Sequence, residues 1–115
     1  MDNFSLIDRS TVAKEWHARG FSCGMWIDHA GREWSCQPHP HEELLMVLSG
    51  VLEIDVDGLV LRPSIGEEVR IPAGTSHRIK NVGGKTARWL YGQRRETTAR
   101  PEISENIPEM TQVNS

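Results

Sequence analysis

Gly66-Glu67-Glu68-Val69-Arg70-Ile71-Pro72-Ala73-Gly74-Thr75-Ser76-His77-Arg78-Ile79-Lys80-Asn81 is the stretch from which the fold is read. Two short strand-like runs, Glu68 to Ile71 and His77 to Asn81, flank the turn Pro72-Ala73-Gly74. Side chains alternate faces along a strand, so Val69 and Ile71 share one face, and His77, Ile79 and Asn81 share one after the turn. Pro72 sets the φ that a turn needs, and Gly74 can take the positive φ of a reversal. The pattern aims an imidazole inward from the start of a strand, among apolar neighbours.

Strand signals continue outward in both directions. Upstream, Leu59-Val60-Leu61 follows Asp57-Gly58, a strong two-residue hairpin signal. Val51 to Asp57 alternates, with Leu52, Ile54 and Val56 inward and three solvated acids outward. Leu44 to Leu48 is apolar on both faces and needs two covers: the barrel interior, and either the N-terminal segment or a partner subunit. Met25-Trp26-Ile27 reads as a short strand and Asp28-His29-Ala30-Gly31 as a turn. Ser10-Thr11 fits the cap of a short helical turn through Trp16, and a strand fits there equally. Downstream, Asn81 to Lys85 reverses into a last strand, Ala87 to Tyr91. Gln93 to Ser115 is polar, carries Pro101 and Pro108, and lacks alternation, so an extended or loosely docked tail is expected. Short strands every eight to twelve residues argue an all-β sandwich or barrel. The expected organisation is an N-terminal segment (1–24) packing on or swapping with the barrel, a barrel (25–92) and a polar tail (93–115).

The 115 residues suffice for one domain, and a net charge of −3 leaves no basic stripe for a phosphate backbone. No nucleic-acid or membrane partner is expected, since no apolar run approaches the ~20 residues of a span. Met1 to Ser5 shows no basic and apolar signal-peptide pattern, and Cys23 and Cys36 lack CxxC spacing. A cytoplasmic protein with two reduced thiols is the expectation.

The opening stretch resembles the second motif of the cupin family, G-x5-P-x-G-x2-H-x3-N, at Gly66, Pro72, Gly74, His77 and Asn81. The family's first motif, G-x5-H-x-H-x3,4-E-x6-G, falls on Gly31, Gln37, His39, Glu43 and Gly50, with glutamine in place of the first histidine. Taking His39-Pro40-His41 as the H-x-H pair would lose Gly31 and leave only Glu42 before Glu43. The resemblance implies a double-stranded β-helix, a small jelly-roll barrel with its site in the mouth. It also implies a divalent transition metal (Fe, Mn, Zn or Ni) held by His39, Glu43 and His77, with Gln37 in the fourth place. Two imidazoles and a carboxylate leave coordination positions open for substrate or oxygen. Gln37 offers only a neutral carbonyl oxygen, which can bind a metal, orient a water or hold a substrate. His41 competes for the fourth place, or serves with Glu43 as a proton-transfer group at the rim.

The function implied is a metal-dependent enzyme on a small oxygenated metabolite, of dioxygenase or isomerase type, working as a homodimer. The alternative is a non-catalytic small-molecule binding or sensor cupin without metal. Fold alone does not choose between them. Trp34, Trp89 and Tyr91 read as core or rim packing, and His17, His29 and Glu42 as surface. Cys36, of opposite strand parity to Gln37, is expected to point away from the site.

Overall fold

The computed structural model describes residues 7–38, 40–95 and 110–112. Helix α1 (Arg9–Ala18) comes first. Its cap is Asp8, whose carboxylate accepts from the Ser10 backbone N–H at 3.1 Å and the Thr11 hydroxyl at 2.9 Å. Such a cap satisfies amide donors that a first helical turn otherwise leaves open, and it selects helix over strand here.

Strands β1 (Gly24–Asp28), β2 (Glu33–Cys36), β3 (Glu43–Ser49), β4 (Leu52–Val56) and β5 (Leu59–Leu61) follow. Then come β6 (Glu68–Ile71), β7 (His77–Asn81), β8 (Ala87–Gln93) and β9 (Met110–Gln112). Among the described residues they form two antiparallel sheets, one ordered β1-β8-β3-β6 and the other β5-β4-β7-β2-β9. This is the expected all-β, double-stranded β-helix. The Asp57-Gly58 hairpin has both residues at positive φ, 51° and 91°, the geometry that matches strand twist. The four motif glycines Gly31, Gly50, Gly66 and Gly74 all lie at φ between 81° and 88°. At Gly50 a side chain would also collide with Ala87, so this glycine lets two chain segments meet.

The inner faces pack as one core in which Leu45, Val47, Trp89 and Tyr91 of the first sheet meet Cys36, Leu52, Ile54 and Ile79 of the second. A second cluster lies outside the first sheet, where Trp16 and Phe21 cover Leu44, Met46 and Leu90. The two-sided strand β3 thus has the barrel interior on one side and the N-terminal segment on the other. Ion pairing reinforces this cover: Arg19 makes two 2.8 Å contacts with Glu68 of β6, and the Trp16 indole donates to the same carboxylate.

The end of the barrel away from His77 is tied by two polar side chains. Buried Asp28 accepts from the indole N–H groups of Trp34 and Trp89, both at 3.0 Å. The Asn81 amide donates to the carbonyls of Asp28 and Lys85, and its oxygen accepts from Gly83 N–H. Asn81 is therefore a clip between β1 and the β7–β8 turn.

Of the expected extended tail, residues 96–109 and 113–115 lie outside the described residues, and a short extended strand is described within it. Met110 to Gln112 pair with β2 in register, Cys36 opposite Met110 and Trp34 opposite Gln112. A strand edge offers a row of unmatched N–H and C=O groups, and three residues suffice to occupy part of it without side-chain alternation. No helix among the described residues is long and apolar enough to cross a membrane.

Candidate functional site

Both sheets bring polar side chains to one end of the core. Glu43 opens β3 and His77 opens β7, and Cys36 ends β2 directly opposite His77. Tyr91 lies near the end of β8, paired with Leu45. Glu43, Tyr91 and Leu45 share the inward face because they sit two residues apart or directly across the ladder. Glu43 is 2% and His77 3% exposed.

These groups form one contact network. His77 Nε2 lies 2.9 Å from the Tyr91 hydroxyl and 3.6 Å from Glu43 Oε1. Tyr91 also hydrogen-bonds Glu43. Burial raises the Glu43 carboxyl to about 7, against the opposing pull of that hydrogen bond. Burial, then the nearby Glu43 charge, push the Cys36 thiol up to about 12. Burial, with Cys36 and Glu43 adding to it, holds Tyr91 far above the usual phenol range. Near neutral pH the site thus contains a protonated thiol, a protonated phenol and a carboxyl poised between its two states.

Gln37 is exposed immediately past β2, and His41 is half-buried two residues before Glu43. His39 lies outside the described residues. Among the described residues no group of three or more His, Cys, Asp or Glu is placed to hold a metal ion. Glu43 and His77 supply two donors of the kinds that a divalent transition metal takes. A carboxylate oxygen and an imidazole nitrogen 3.6 Å apart can both reach one ion at the usual bond lengths of about 2.0–2.2 Å.

Cys36 points toward the site, against the expected parity. β2 ends at Cys36, so Gln37 does not continue its alternation, and the Cys36 side chain is inward, buried and hydrogen-bonded to Tyr91. Tyr91 is the other residue that the motifs do not mark. Alternation along Ala87, Trp89 and Tyr91 predicts its inward direction, yet only the docking of the two sheets brings its hydroxyl to His77. Glu42, expected to be solvated, is half-buried and ion-paired with Arg94 at 2.8 Å and Arg70 at 3.1 Å.

The family model described as a cupin domain matches residues 25–91, more than half of the chain, and the chain belongs to that family. It is 35% identical over 69 residues to a Streptomyces cyaneus protein named polyketide synthase CurC. That match covers 59% of this chain and 45% of that protein, so the chain spans less than half of its relative's length. The fold is similar to the cupin domain of an XRE-family transcriptional regulator from Enterobacter cloacae. The TM-score there is 0.62 at 21% identity, covering 70% of this chain and 88% of that one. It is likewise similar to a predicted oxalate decarboxylase from Thermotoga maritima, with a TM-score of 0.60 at 18% identity over 70% of this chain and 72% of that one.

Proposed function

We propose that this cupin is a metal-dependent enzyme that moves protons on a small oxygenated substrate, an isomerase-type activity. The observation that carries the reading is the buried Glu43–His77 pair, with Oε1 and Nε2 3.6 Å apart at one end of the barrel. Structural needs alone seldom retain a carboxyl group in so dry a place, because burying one costs free energy. His39, Glu43 and His77 would hold the ion, with Gln37 or His41 in the fourth place. Bound there, a divalent transition metal supplies Lewis-acid polarisation of a substrate oxygen.

The chain's own groups do the rest. Glu43 offers a carboxyl whose acidity lies near neutrality, where a proton acceptor and donor works best. The Tyr91 hydroxyl, kept neutral, donates to or accepts from His77 or Glu43 according to their protonation. The apolar walls Leu45, Ile71 and Ile79 limit water around these groups. A substrate with an enolisable carbonyl is favoured by this set, and the likeness to a protein named polyketide synthase supports an oxygenated, carbonyl-rich compound. The same reading has the chain as a homodimer, supported by the edge position of β1 and by the exposure of Met25 and Ile27 on it.

The test begins with elemental analysis of protein purified without added metal or a histidine tag. Solvent deuterium uptake by simple β-diketones and 2-hydroxy ketones is then followed by NMR, beside an oxygen electrode. The expected result is a bound transition metal and metal-dependent exchange that His77→Ala abolishes. Oxygen consumption with a hydroxylated or cleaved product would move the assignment to the dioxygenase type. Ligand binding with neither metal nor turnover would replace the enzyme with a binding module.

A further inference from the structure

Tyr91 is the chain's only tyrosine, and the metal set leaves it unassigned. Its hydroxyl stands 2.9 Å from His77 Nε2, and Nε2 is also the atom that approaches Glu43 Oε1. An imidazole nitrogen has one in-plane position, which holds a proton, accepts a hydrogen bond or binds a metal, but only one of these at a time. In either tautomer, then, the contact with Tyr91 occupies the place a cation would take on Nε2.

We infer that Tyr91 competes with the metal for His77: its hydroxyl latches Nε2 in the metal-free protein, and a divalent cation enters only by displacing it. The inference rests on the metal reading above. Two further features support it. The ring is set by the core, packed edge-on against Trp89 at a centroid distance of 5.6 Å, so the hydroxyl is placed at Nε2 by packing. Glu43 is a second hydrogen-bond partner already in reach, so a hydroxyl released from Nε2 is not stranded in a dry interior. Tyr91 is on this account a positioning residue that lowers the site's affinity and makes loading selective for cations that bind imidazole strongly.

The probe is Zn²⁺ with the full-length protein. Competition against a chromophoric chelator gives its affinity for the wild type, Tyr91→Phe and His77→Ala. The phenyl ring preserves the packing on Trp89, so Tyr91→Phe should bind Zn²⁺ about 2- to 10-fold tighter, the factor one net hydrogen bond represents. Zn²⁺ taken up by Tyr91→Phe and not by the wild type would support the same conclusion more strongly. Equal or weaker binding by Tyr91→Phe, with the wild type binding and His77→Ala not, overturns the competition while the metal site stands. Absence of binding in every variant removes the metal reading and the inference with it.

Should Tyr91→Phe not fold, the wild type labelled with ¹³C at the tyrosine Cζ gives a single resonance that decides alone. Competition predicts a shift on Zn²⁺ saturation within the neutral-phenol range. A resonance that does not move, or one that moves to the phenolate range and so makes Tyr91 a ligand, overturns it.

Discussion

A buried carboxyl group that keeps its proton avoids most of the cost of burying a charge, and Glu43 illustrates the consequence for stability. Its folded-state pKa is raised by burial from the ordinary 4.5 to about 7. Below pH 4.5 the group is protonated in both the folded and unfolded chain, and its contribution is whole. As pH rises toward and through 7 the unfolded chain ionises first, so that contribution is lost. Metal-free protein should therefore lose roughly 1–3 kcal/mol between pH 4.5 and 7.5 on account of this one side chain. Urea unfolding in the presence of a chelator, at several pH values, should show that slope in the wild type and a flatter one in Glu43→Gln. Neighbouring residues test the ligand register. His41→Ala should leave metal content nearly unchanged, and Gln37→His should tighten binding. A site emptied by His41→Ala but not by Gln37→Ala would make His41 the fourth ligand. At this scale Glu43 and His77 were legible as inward residues because each sits at a motif position. The meeting of Tyr91 with His77 and the inward direction of Cys36 were not, because contacts between sheets carry no local signature and β2 ends at Cys36, before Gln37 can continue its alternation.

Whole elements depend on close approaches that alternation does not encode. Gly92 lies on β8 where the chain passes Ser22 and the Trp16 ring, and a Cβ there would strike the Ser22 carbonyl oxygen and come within 2.9 Å of the indole. Gly92→Ala should cost about 1–3 kcal/mol by forcing the segment after α1 off the sheet, read as a lower urea midpoint with an unchanged slope. Asp28→Ala should cost about 2–3 kcal/mol, because a buried and a half-buried indole donor lose their acceptor, whereas Asp28→Asn should recover part of it. The strands β3 to β8 could be placed from alternation, continuous apolar runs and turn residues. The cap of α1 and the pairing of β9 could not: Asp8, Ser10 and Thr11 are all of cap-forming types, and a run of three residues is too short to show a period. That β3 has two covers was plain from its composition, while the choice of α1 as the second needed the structure.

For the molecule as a whole, an edge strand carrying exposed apolar side chains is a place where two copies can meet. Met25 is 38% and Ile27 54% exposed on β1, which borders its sheet. Sedimentation at tens of micromolar, an order-of-magnitude working concentration, should show a dimer that Ile27→Lys converts to monomer. A wild-type monomer under those conditions discards the proposal. The two motifs point to the barrel and to the end at which Glu43 and His77 meet, since their glycines mark corners and these two residues open strands. They did not establish the substrate, because nothing local in a strand records what enters from solvent.

Strand β7 carries both kinds of motif residue, His77 at its first position and Asn81 at its last, roughly 13 Å apart at the usual rise per residue. Glu43 and His77 head their strands, and the clamps Asp28 and Asn81 sit at the opposite pole. Mutational tolerance should therefore be graded along the barrel axis. Replacements near Glu43 and His77 can alter chemistry while the architecture survives, and replacements near Asn81 threaten the architecture first. That polarity leaves the end holding Glu43 and His77 open to redesign on an unaltered scaffold.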